Sequence, residues 1–252
     1  MHQESNVPSE RLSADFTLTG GDFRLTFRAT VPGGPSRMSD LLPLVRSLSD
    51  TVIGETCRTL EASGRRVSCA SGCGACCRNL VEISQVEARR IADVVAALPE
   101  PRRATVESRF AHAKERLEQA GLLERLRVRD EWTPQEYAAQ VDSYFALNAP
   151  CPFLEEESCS IYEERPITCR EYLVTSHPAL CANLDSAGVE RVQLPLQLFN
   201  AMARWQAPQK GPFLEQWVPL VLALEWAALH PDEPPSKTGL ELLRELLSQV
   251  ST

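Results

Sequence analysis

The chain has 252 residues, of which 43% are hydrophobic and 24% charged, with nine cysteines and a net charge of −8. That length suits one large domain or two small ones and buries a core without disulfide staples. The acidic balance opposes non-specific binding to a phosphate backbone, so no nucleic-acid partner is expected. The first residues, MHQESNVPSERLSADF, lack a basic stretch followed by an apolar one. The longest apolar run, Trp217 to Leu229, is interrupted by Glu225 and is too short for a membrane span. The expectation is therefore a cytoplasmic protein away from the membrane, in a compartment where thiols stay reduced and an odd number of cysteines calls for something other than disulfides.

In chain order, residues 1–36 read as a tail and a small β-hairpin. Asp15–Thr19 and Phe23–Ala29 alternate apolar and polar around Gly20-Gly21-Asp22. Val31–Ser36 is a linker by composition. Leu41, Leu42, Val45, Leu48, Val52, Ile53 and Leu60 recur at helical spacing over 39–62, with Gly64 as the stop. After an irregular loop over 67–79, Ser84 and Glu87 form a capping box opening a helix that runs to Leu98. A charged helix follows Pro101 and extends to Gln119, with a short turn of helix over 122–128. Thr133-Pro134 opens another helix, reaching Leu147. After a second cysteine-rich stretch, 151–181, three helices are predicted over 194–205, 213–229 and 237–250, the middle one kinked or started late by Pro219. The predicted fold class is mainly α: a helical domain wrapped around an irregular, cysteine-rich metal-binding core (37–185). A C-terminal helical extension (186–252) packs on it.

Eight cysteines fall in two groups: Cys69, Cys73, Cys76 and Cys77, then Cys151, Cys159, Cys169 and Cys181. Soft metals want several thiolates converging on one point, and short loops of small residues let the backbone wrap an ion. Gly72 and Gly74 suit such wrapping. Arg165 and Arg170 flank Cys169 and are candidates to bind a negatively charged thiolate cofactor beside it. Cys57 reads as an ordinary helix residue, because free cysteine packs as a small hydrophobe. Four thiols within nine residues of Gly and Ser have little packing use. Cys181 lies beyond His177-Pro178 and is the least certain ligand of its group. Phe153, Leu154, Ile161 and Tyr162 are expected to cover the centre, whereas the glutamates at 155–157 and 163–164 read as solvated charge. His177 is a secondary ligand candidate and His112 a surface residue.

Three other readings use the same residues. Cys69-x3-Cys73-x2-Cys76 has radical-SAM spacing, but Ala75 stands where an aromatic is usual and helices follow. Cys73-Gly-Ala-Cys76 is a redox-pair spacing without its βαβ context. A catalytic cysteine with His112 or His177 has nothing to single it out.

Together, CASGCGACCR (69–78), the capped helix, CPFL (151–154) and CSIYEERPITCR (159–170) resemble the YkgJ-type cysteine-cluster family, described as a zinc- or iron-chelating domain. The resemblance spans about 67–173. It implies Cys69, Cys73, Cys76, Cys77, Cys151, Cys159 and Cys169 as ligands, with the first group spaced slightly wider than the C-x2-C-x2-C-C pattern. A related branch, the flagellin lysine N-methylases, implies an S-adenosylmethionine-dependent iron–sulfur enzyme as one alternative. A non-catalytic zinc module that folds around or handles metal is another, and a protein partner or protein substrate stays open. Structural zinc usually takes two C-x2-C pairs, which are absent from the second group, and vicinal Cys76-Cys77 strain a single zinc chelate. Between the two, an iron–sulfur cluster is favoured over zinc, with the reaction unassigned.

Overall fold

A computed structural model describes residues 10–128, 132–182, 188–205 and 217–250. The chain opens with two antiparallel ten-residue strands, β1 (Arg11–Gly20) and β2 (Phe23–Pro32), which pair Phe16 with Phe27 and Leu18 with Leu25. The predicted hairpin is present and longer than the alternating pattern alone indicates. The expected linker is not free chain. β2 absorbs Val31 and Pro32, and β3 (Pro35–Ser36) pairs with residues 237–238 near the C-terminus. Two residues of strand carry no readable period, so only the distant partner defines them.

A 3-10 turn at Met38–Leu41 leads into α1 (Leu42–Ala62), whose buried face carries Leu42, Val45, Leu48 and Val52. β4 (Glu82–Ser84) runs directly into α2 (Gln85–Ala96). The expected capping box holds: the Glu87 amide donates to Ser84 Oγ at 3.3 Å, and the Ser84 amide donates to Glu87 Oε2 at 3.0 Å. α3 (Arg102–Gln119) and α4 (Leu123–Arg127) follow, then α5 (Pro134–Ala146), capped by Thr133. β5 (Leu154–Glu155) and β6 (Ser158–Cys159) form a minimal hairpin, and α6 (Ile167–Glu171) carries Cys169. The remainder is α7 (Leu198–Trp205), β7 (Trp217–Pro219), α8 (Ala223–Leu229), β8 (Lys237–Thr238) and α9 (Gly239–Ser248). Of the helix expected over 213–229, residues 213–216 lie outside the described residues. Its next three residues are a strand paired with β4, and the α-helix starts only after Pro219.

Two apolar clusters position the cysteine-bearing segments. One joins the hairpin, α1, α7 and α9 through Leu18, Leu42, Val45, Met202, Leu243 and Leu246, and it also receives Ile167 of α6. The other joins α2, α3, β4 and β7 through Ile83, Ile91, Phe110 and Val218, and it receives Phe153 and Ile161 from the second cysteine stretch. Full burial of each such side chain contributes about 1.5–3 kcal/mol, so the second stretch is anchored on both sides. Among the described residues, no helix is long and apolar enough to cross a membrane.

Candidate metal centre

The first cysteine group sits on consecutive tight turns rather than on a regular element. The Cys73 amide donates to the Ala70 carbonyl at 3.2 Å, Cys77 to Gly74 at 3.0 Å and Asn79 to Cys76 at 3.1 Å. Gly72 has φ +86°, a left-handed conformation that costs a side-chain-bearing residue steric energy. The second group is more regular. The Leu154 amide donates to the Cys151 carbonyl at 2.9 Å, and the Ser160 amide donates to Phe153 at 2.9 Å across the β5–β6 hairpin. The sulfurs of Cys151 and Cys159 each take a backbone hydrogen bond from the residue two positions on, Phe153 and Ile161. A donor aimed at sulfur favours the thiolate over the thiol.

Contacts between the segments bring the groups together. The Cys151 amide donates to the Cys77 carbonyl at 2.7 Å. Gly74 lies so close to the hairpin that a Cβ there would meet Leu154 Cδ1 at 2.6 Å and the Glu157 carbonyl at 2.7 Å. Arg78 pairs with Glu157 at 2.6 Å. Cys169 is fixed from a third direction: the Ile167 amide, at the start of its helix, donates to Glu87 Oε1 at 2.7 Å. Glu87 is 2% exposed, and its carboxylate thus serves the α2 capping box and α6 together.

Cys73, Cys76 and Cys77 from the first group, with Cys151, Cys159 and Cys169 from the second, line one small cavity of about 70 Å³. That space holds only a few water-sized bodies, at about 10–15 Å³ each. Phe153, Ile161, Val81 and Leu220 form its apolar walls, and Tyr162 and Arg165 complete it. The Arg165 guanidinium carbon stands 4.1 Å over the Tyr162 ring, and its buried Nε has no hydrogen-bond partner. Burial pushes the Cys151 thiol up to about 12 and the Cys169 thiol well above its ordinary value. Cys76 is pushed up first by its hydrogen bond with Cys77 and then by burial. Arg165 works in the opposite direction on Cys76 and Cys159. A pocket that keeps Cys151 and Cys169 as neutral thiols beside a cation is suited to a soft metal, whose charge replaces the displaced protons. Among the described residues, no three His, Cys, Asp or Glu side chains are already gathered at ligating positions. The cysteines ring the space without meeting at its middle.

The remaining candidates fall around this cavity. Cys69 is half-buried, outside the wall, within electrostatic reach of Cys73 and Cys76, and takes a backbone hydrogen bond from Val174. Cys181 is 6% exposed, hydrogen-bonded to Tyr172 and within reach of Cys76 and Cys69. Cys57 lies partly exposed on α1, on the Cys69 side. Arg165 and Arg170 separate sharply. Arg170 faces α1, where it holds Asp50 at 2.9 Å and the Arg165 carbonyl at 3.2 Å, and it does not line the cavity. His177 and His112 lie outside the wall as well. Three of the five glutamates are in ion pairs, Glu155 with Arg109 at 2.8 Å, Glu157 with Arg78 and Glu164 with Arg46 at 2.7 Å.

A cleft of about 390 Å³ adjoins the cavity and shares Cys76 and Cys169 with it. Cys181, Tyr172, Tyr137, Glu82, Asn79 and Arg191 also line the cleft. The sequence reading did not single out Glu82, Tyr137 or Arg191, which lie on β4, α5 and a later loop with no shared motif. A larger groove of about 590 Å³, bordered by Arg37, Arg89 and Asp232, contains no cysteine and lies apart from this chemistry.

Two cysteine groups that line one cavity, with backbone donors on sulfur, are the kind of site a metal-chelating domain uses. Residues 68–186 match the CxxCxxCC family, described as a "putative zinc- or iron-chelating domain". No curated protein and no solved structure matches the chain. The family description supports metal binding, with zinc or iron as the ion.

Proposed function

We propose that the protein carries an iron–sulfur cluster held by cysteines of both groups. Cys73, Cys76, Cys77, Cys151, Cys159 and Cys169 are the inner ligand candidates, and Cys69 and Cys181 the outer ones. The observation that carries this reading is that six cysteines from two stretches distant in sequence line a single small cavity. A cluster, like a tetrahedral zinc, takes four of these six cysteines, but the vicinal Cys76-Cys77 pair fits more easily on different irons of a cluster than on one zinc. Such a cluster supplies electron transfer or Lewis-acid chemistry when bound. Arg165 offsets the negative charge of the thiolates, and the apolar walls limit water access. Ligation turns the cysteine side chains inward and displaces their protons. The cytoplasm, where thiols stay reduced, is the compartment this chemistry requires.

The test is anaerobic purification of the full chain with metal and acid-labile sulfide analysis. Iron with matching sulfide is the expected result. Zinc without sulfide would replace the cluster with a zinc site on the same cysteines. Absence of both metals would overturn the assignment.

The adjoining cleft favours a second reading, in which the centre serves a bound small molecule rather than only the fold. Its volume falls in the range of ligand sites, about 300–1,000 Å³, and it opens onto two of the inner cysteines.

A further inference from the structure

The cleft beside the cysteine cavity carries groups of both charges. The Glu82 carboxylate accepts a hydrogen bond from the Tyr137 hydroxyl through Oε1, and no other partner engages the carboxylate's second oxygen among the described residues. Asn79 Oδ1 is buried with no hydrogen-bond partner, and Asp142 adds an exposed carboxylate at the rim. The cleft is therefore rich in acceptors. The exposed Arg191 guanidinium lies 4.6 Å over the Tyr172 ring, within electrostatic reach of Glu82 and Tyr137, and forms no close ion pair among the described residues. Stacking uses the face of a guanidinium and leaves its in-plane N–H groups free for a bidentate carboxylate. Tyr172 spends its hydroxyl on Cys181. Glu82, Asp142 and Arg191 are the charged side chains lining the cleft. Val81, Val141 and Phe145 add apolar lining.

From this arrangement we infer that the cleft binds a small zwitterion of the α-amino-acid type. Its ammonium lies against Glu82 and Asn79, its carboxylate on Arg191, and its side chain toward Cys76 and Cys169. The inference rests on the second reading above, a ligand-binding centre. Carboxylate and amide acceptors together with a fork of donors match both charges of such a molecule. A simple amine would leave the exposed Arg191 fork unused, and a simple acid would leave the buried Asn79 Oδ1 and the partly buried Glu82 unmatched, the costlier omission. Burial pushes the Glu82 carboxyl up while Tyr137 and Arg191 pull it down, so a ligand ammonium offsets the same desolvation.

The test is calorimetric titration of the full chain, as isolated with its metal, against alanine, leucine, lysine and glutamate. Each is compared with its N-acetyl and carboxamide derivatives. At least one free amino acid is expected to bind, with both derivatives about tenfold weaker or worse. Arg191→Ala is expected to abolish discrimination against the carboxamide and Glu82→Gln discrimination against the N-acetyl form, each with unchanged metal content. Binding of derivatives as tightly as the parent would overturn the zwitterion assignment. So would absence of binding by every amino acid in a chain with full metal content. A chain without metal that still binds amino acids would instead sink the metal reading and leave this one standing.

Discussion

The two cysteine-bearing regions reach the same cavity by different means. The second, Cys151 to Cys169, is built into the protein: Phe153 and Ile161 enter one apolar cluster, Ile167 enters another, and Glu87 holds the start of the Cys169 helix. The first, Cys69 to Cys77, contributes no side chain to any buried apolar cluster and is held mainly by turns and by contacts with the second. The contrast points to a division of labour, in which one region is a preformed half-site and the other a loop that closes onto it.

The largest expected effect comes from the sulfurs themselves. Cys76→Ser or Cys169→Ser should abolish metal uptake, measured by metal content after anaerobic purification, whereas Cys57→Ser should leave it unchanged. Equal metal content in all three would break the division between wall and bystander. Acid should come next. Burial raises Cys151 to about 12 and Cys169 well above its ordinary value, so these two thiols keep their protons near neutrality without metal, and ligation releases them. Metal retention should therefore be complete at mildly alkaline pH and fall as the pH drops through the acid range. A pH-independent dissociation constant would contradict thiolate ligation.

Gly74→Val sharpens the comparison further. Its added carbons meet Leu154 and the Glu157 carbonyl, so the first loop must lift off the second region, at an overpacking cost of about 1–3 kcal/mol. Faster metal loss to a chelator with an unchanged far-UV spectrum is expected. Loss of the helical signal would mean that the loop is part of the fold and not a closing element.

The arginine pair separates site from scaffold. Arg170→Ala should lower stability by about 1–3 kcal/mol, because it strips hydrogen bonds from two carbonyls and Asp50, yet leave metal stoichiometry intact. Arg165→Gln should do the reverse, with little change in unfolding midpoint and a faster rate of metal loss. The smallest effect belongs to Arg78→Gln. Its partner Glu157 is exposed, so about twofold faster loss is the most a screened ion pair supports.

How much was legible before folding follows from the range of the interactions involved. Helices announced by local chemistry were readable: the Ser84–Glu87 and Thr133–Glu136 capping boxes and Pro134 lie where the helices begin. The short pairs β3–β8 and β4–β7 were not readable, since two or three residues have no period and each partner is more than 100 residues away. For the same reason the run from Trp217, apolar enough for a helix, begins as a strand against β4. The polar cleft was equally hidden, because Glu82, Tyr137 and Arg191 share no motif and meet only through the packing of their elements.

The amino-acid sequence by itself determined the chemistry: eight clustered thiols, four of them in one short glycine-bearing loop, and the family that residues 68–186 match. Only the tertiary structure decided which residues share a space. Arg165 and Arg170 are both close to Cys169 along the chain, yet the former faces the cysteines while the latter clamps α1. Six cysteines line the cavity while Cys69 and Cys181 stand outside its wall. Spacing states which ligands are available, but a side chain's direction is set by the helix that carries it and by the core against which that helix is packed.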